Sequence, residues 1–106
     1  DIAQKIDDVG EKGFALMNKG QIMVEQENYL NALPYLINAV KYLVSVDNKF
    51  DAAFALQLTA IVYREKGKKE QAFSYLNDAL KLAQDIDSKA DISEIYKQFY
   101  LTYEKE

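Results

Sequence analysis

Apolar residues recur along this chain at the three- and four-residue spacing of amphipathic helices, in five successive stretches. Phe14, Leu16, Met17, Ile22, Met23 and Val24 predict a first full helix over residues 11–27. The polar pair Glu27-Asn28 breaks it, and a second helix is expected over residues 29–46. Phe54, Leu56, Ala60, Ile61 and Tyr63 mark a third over 50–66, closed by Gly67 as a C-terminal glycine with positive φ. A fourth spans 71–86, and Ile92, Ile95, Tyr96, Phe99, Tyr100 and Tyr103 mark a fifth over 91–106. Two residues inside the helical pattern need a reason. Gly20 costs a helix about 1 kcal/mol against Ala, and close approach of a neighbouring helix would explain it. Pro34 removes a backbone bond within the second helix, near its exposed start, so any kink should be small.

The pattern repeats with a shift of forty residues. Ala32-Leu33-Pro34-Tyr35-Leu36 is followed by Ala39 and Lys41, and Ala72-Phe73-Ser74-Tyr75-Leu76 by Ala79 and Lys81. The same shift aligns Ile6, Val46 and Ile86, then Asp7, Asp47 and Asp87, then Asp8, Asn48 and Ser88. That recurring element reads as a helix end followed by a helix start. Asp, Asn and Ser accept bonds from free backbone N–H groups, and Glu11, Asp51 and Asp91 then place a carboxylate in the next first turn. By this register residues 2–9 are too short for an independent helix and read as the tail of a preceding repeat. The predicted organisation is one domain: 1–9 as that tail, 10–49 as a first repeat, 50–89 as a second, and 90–106 as the first helix of a further one. An excerpt of a longer array is expected.

Composition narrows the class. Hydrophobic residues make up 49% of the chain, enough for a continuous core, and one Pro with four Gly disfavours a turn-rich all-β domain. The net charge of −4 is spread without a block and argues against nucleic acid, which wants a basic face. No apolar run reaches the roughly 18 residues of a membrane span, so no direct membrane contact is expected. With no Cys and no His, zinc sites, thiol nucleophiles, disulfides and imidazole bases are excluded within the chain.

The matched positions resemble the tetratricopeptide repeat, whose helix pairs carry a small residue at the eighth position, an aromatic at the eleventh, and Ala at the twentieth and twenty-seventh. Counted from Gly13 these are Gly20, Met23, Ala32 and Ala39; counted from Ala53 they are Ala60, Tyr63, Ala72 and Ala79. The first-helix Trp position is relaxed to Leu16, Leu56 and Tyr96, the terminal Pro is missing, and the period is 40 where the usual repeat has about 34. The long spacing is similar to arrays in bacterial sensor kinases, transcription regulators and kinesin light chains. The resemblance implies an all-α fold, an α-solenoid of antiparallel helix pairs in which each hairpin leaves an apolar face for the next to cover. On that reading Tyr96, Phe99, Tyr100 and Tyr103 are expected to cover the open face of the second repeat.

Chemistry is sparse. Lys66-Gly67-Lys68-Lys69 lacks the frame of a phosphate loop, and Gly10 with Gly13 follows no strand and makes no dinucleotide fingerprint. Asp85-Ile86-Asp87-Ser88 lacks the central Gly and distant Glu of a calcium loop. Carboxylate pairs such as Glu25 with Glu27 stand beside no nucleophile. No catalytic residue, cofactor or metal is expected, and the reading is not an enzyme. The expected partner is a protein or peptide. The family draws ligand contacts mainly from the first helix of each pair, which here implies a concave groove lined by Phe14, Met17, Gln21, Val24 and Glu25. It continues through Phe54, Gln57, Ile61, Arg64 and Glu65, then Glu94, Lys97, Leu101 and Glu104. The resemblance points to the input module of a bacterial signalling protein. The rival reading is a structural spacer, or a module that self-associates through exposed repeat ends.

Overall fold

The computed structural model describes residues 1–106 as five α-helices and no strand: α1 (Ile2–Glu25), α2 (Tyr29–Ser45), α3 (Lys49–Glu65), α4 (Lys69–Asp85) and α5 (Lys89–Glu104). It is an all-α solenoid. Helices α1 and α2 form one antiparallel hairpin and α3 and α4 the next, while α5 packs on α4.

The three-residue connections share one construction. Glu27, Asp47, Gly67 and Asp87 all take positive φ, at 60°, 59°, 78° and 50°. At each, the N–H bonds the carbonyl three residues back, and the following N–H bonds the carbonyl five back, as in Asp47 to Val44 and Asn48 to Leu43. This double closure satisfies the last carbonyls of the outgoing helix. The next residue is already the N-cap of the incoming helix, with its carbonyl accepting from Ala32, Ala52, Ala72 or Ile92. The turns between hairpins add side-chain caps. Asn48 accepts from the Asp51 N–H and donates to its carboxylate, and Ser88 pairs with Asp91 in the same way. Asn28 and Lys68 make no such cap.

The break expected at Asp7-Asp8 does not occur. Helix α1 runs unbroken through these residues and is capped by Asp1, whose side chain accepts from the Gln4 N–H. Left-handed backbone is strained for a non-glycine residue and persists where tertiary packing requires the reversal. Ile2 and Ile6 are 78% and 49% exposed, so no packing on this segment compensates for leaving the helix.

Two apolar clusters form the core. Met17, Leu36, Leu43, Leu58 and Val62 close the first around Ala32, Ala39, Ala52 and Ala55. Leu56, Leu76 and Ile95 close the second around Ala60, Ala79 and Ala83. Gly20 is the closest approach within the first hairpin, since a Cβ there would lie 2.5 Å from Leu36 Cδ2. In the second copy Ala60 holds this place, and Leu76 matches Leu36.

The face of α5 corrects the expectation for its aromatics. Ile95 is the fully buried apolar residue of α5, and Phe99 stacks on Phe73 with ring centroids 6.0 Å apart. Tyr96 and Tyr100 are instead 55% and 63% exposed. Tyr103 does pack on Phe73 of α4, with ring centroids 4.7 Å apart at 44°, although its outer side stays 71% exposed. The helical repeat turns Tyr96 and Tyr100 away from the side on which α4 lies.

Candidate functional site

Helix α3 lies between neighbours on three sides, and what remains open on it defines the inner face. The backbones of α1, α3 and α5 approach one another in series, whereas those of α2 and α4 stay apart. The layer of α1, α3 and α5 is therefore the tighter, concave one. Most of α3 is buried, and the residues left open are Lys49, Phe50 and Asp51 at its start, Phe54 and Ile61, and the C-terminal Tyr63, Arg64 and Glu65. Phe50, Phe54 and Ile61 share one stripe, and Gln57 sits within it.

Gln57 has unusual surroundings. It is 4% exposed, yet it makes no side-chain hydrogen bond within the chain, while every fully enclosed side-chain polar atom is bonded. Its amide therefore reaches the floor of the inner face with both polar atoms uncommitted. The buried hydroxyls differ, because Thr59 and Thr102 each donate back to the carbonyl four residues earlier, at 2.8 and 2.7 Å.

The other expected lining residues divide. On α1, Phe14 is 49% exposed, Gln21 and Val24 are half-buried, and Glu25 is exposed. Met17 is a core side chain at 4% exposure, packed in the first cluster, and does not line the face. On α5, Glu94, Lys97, Leu101 and Glu104 are all exposed. Arg64 and Glu65 are not free. Arg64 Nη1 donates to Gln98 Oε1 at 2.7 Å, and Gln98 Nε2 donates to Glu94 Oε1 at 3.0 Å. Glu65 accepts from Arg64 Nε and from Lys105 Nζ, both at 3.3 Å. This chain of polar contacts ties α3 to α5 across one end of the face. Tyr29 stands beside it. Burial raises the Tyr29 phenol above its usual range, Glu65 and Glu27 add to the rise, and Arg64 opposes it.

A feature on the opposite side was not anticipated from sequence. Because α2 and α4 stay apart, a cleft of about 400 Å³ opens between them. Val40, Val44, Leu56 and Leu82 form its floor, with Asp78 and Lys81 at the rim. Lys49 and Asp85 bridge one end of the same side at 3.5 Å. A signal was present in Val40 and Val44, two apolar residues beyond the Ala32-Leu36-Ala39-Leu43 seam.

No three or more acidic side chains gather to hold a metal ion. No helix is long and apolar enough to cross a membrane.

Stacked antiparallel hairpins with small residues at their crossings and an open inner face define a helical repeat scaffold. The chain belongs to the tetratricopeptide repeat family, whose model matches residues 13–85. Repeats of this family mediate protein–protein interaction, and the chain is an interaction module of that class. No curated protein and no solved structure gives a significant match.

Proposed function

We propose that the chain receives a peptide segment or a helix across the inner face of α1, α3 and α5, as the input or partner-binding part of a bacterial signalling protein. The observation that carries the reading is Gln57, an uncommitted amide at the floor of an otherwise apolar stripe. A peptide backbone offers one donor and one acceptor per residue, and a side-chain amide can meet both. Phe54 and Ile61 on either side supply apolar contact, and the polar chain from Glu94 to Lys105 bounds the stripe at one end. The forty-residue spacing, similar to arrays of bacterial sensors and regulators, supports the signalling context.

The test is selection of binders from a random peptide display library on the intact chain. Gln57→Ala, Phe54→Ala and Ile61→Ala should each weaken the selected peptides by about 1–2 kcal/mol, five- to thirtyfold, as apolar or hydrogen-bonding contacts of this size do. If the selected peptides bind all three variants as they bind the parent chain, the inner face is not the site. The spacer reading then takes its place.

A further inference from the structure

Helix α5 carries a stripe that the rest of the chain leaves uncovered. Lys89, Ser93, Tyr96 and Tyr100 follow one another at alternating four- and three-residue steps, and all are exposed, while Tyr103, next in the series, packs on Phe73. This is the spacing of a seam between two helices. In the two complete hairpins the matching seam receives the partner helix. Leu36 presses into the notch at Gly20 and Leu43 into the notch at Gly13. The forty-residue shift puts Ala60 and Ala53 at the same places, then Tyr100 and Ser93. So α5 keeps one notch, at Ser93, and fills the other with a knob. A helix seated as α2 sits on α1 would meet the Tyr100 ring where it needs a hole. The partner of this stripe must bring a hole for Tyr100 and a filler for Ser93, seven residues apart.

The stripe is complementary to itself. We propose that α5 pairs with α5 of a second copy, antiparallel about a two-fold axis at its midpoint. Tyr100 then enters the partner's Ser93 notch, and the symmetric contact repeats it. The same register sets Lys89 opposite the partner's Glu104 and Tyr96 opposite the partner's Lys97. The first is an ion pair made twice. The second repeats a contact this chain already uses, with Lys12 over the Tyr42 ring at 4.9 Å and Lys19 over Tyr35 at 4.7 Å. The register overlaps the whole of α5, Lys89 to Glu104, with neither end left over. One helix from each copy makes a small interface, so association belongs at roughly the micromolar to millimolar end of the scale. The seam shares Lys97 and Glu104 with the inner-face lining, but its core contact, Tyr100 in the Ser93 notch, uses residues that the inner-face reading does not.

Sedimentation equilibrium of the full chain tests it. A monomer–dimer equilibrium is expected, and Tyr100→Asp should abolish it while far-UV circular dichroism stays unchanged. Lys89→Glu and Glu104→Lys should each weaken dimerisation by about tenfold, because each sets like charges opposite twice. Mixing these two variants should restore the dimer, because every pair across the seam then carries opposite signs. A chain that stays monomeric at millimolar concentration overturns the proposal. So does a dimer indifferent to Tyr100→Asp, or a mixture no tighter than its components.

Discussion

A single methyl group added at Gly20 would stand 2.5 Å from Leu36 Cδ2 and 2.7 Å from Leu36 Cγ, and Leu36 is fully buried. Overpacking of this kind costs about 1–3 kcal/mol, and the better helix propensity of Ala returns about 1. Gly20→Ala should therefore lose roughly 1 kcal/mol in urea denaturation, although Ala60 holds the equivalent place in the second hairpin. The comparison isolates helix separation, since the two hairpins share Leu36 and Leu76 as knobs. A second residue-scale effect is electrostatic. Tyr75 stacks on Tyr63 at 5.2 Å, and burial, then Tyr63 and Asp78, raise its phenol above the usual value. A raised phenol keeps its proton more tightly when folded than when unfolded. The linked stability is complete below pH 10 and declines as pH rises through the folded value. Denaturation midpoints measured between pH 9 and pH 11 should fall, and Tyr75→Phe should shallow that fall.

At the scale of the element, the four turns divide between one glycine and three residues that adopt left-handed backbone at a cost. Glu27 is the most strained by type, because Asp tolerates this region better than Glu does. Glu27→Gly should raise stability by about 0.5–1 kcal/mol, and Gly67→Ala should lower it by about 1, both read from the thermal midpoint. A destabilising Glu27→Gly would mean that the Glu27 side chain contributes more to the turn than its left-handed backbone costs. The five helices were legible because Leu36, Leu76 and their alanines repeat with fixed spacing. Gly67 also announced its own conformation. Glu27 did not, since Glu is no turn former and only the backbone closure forces it. Asp7 misled for the converse reason. It matches Asp47 and Asp87 in type, but no hairpin packs there to enforce a reversal. Of the residues expected to line the inner face, Met17 is taken by the core. The commitments of Arg64 and Glu65 to Gln98 and Lys105 link residues far apart in sequence and leave no local trace.

The whole molecule measures 50 × 31 × 19 Å, and its coherence depends on each helix covering its neighbour. In such arrays stability is close to a sum of local units and the interfaces between them. Ile95 is the buried side chain by which α5 closes the second cluster. Ile95→Ala should cost about 2–5 kcal/mol and expose α4, detected as early loss of protection in hydrogen exchange for α4 and α5 before α1 and α2. Simultaneous loss across all five helices would show that the array unfolds as one unit instead. The two outer faces also differ in chemistry. Lys12 and Lys19 lie where the second copy has the fully buried Ala52 and Thr59, so that side of α1 meets water with charge. The tyrosines of α5 give the opposite side an aromatic surface.

The connections follow from the same backbone closure whether they join helices within a hairpin or between hairpins. Loop geometry therefore carries no information about which helices are to be mates. That choice rests wholly on the side chains at the crossings. Transplanting residues 46–48 in place of 26–28 should leave the order of the stack intact, as interchangeable joints do in a folding rule.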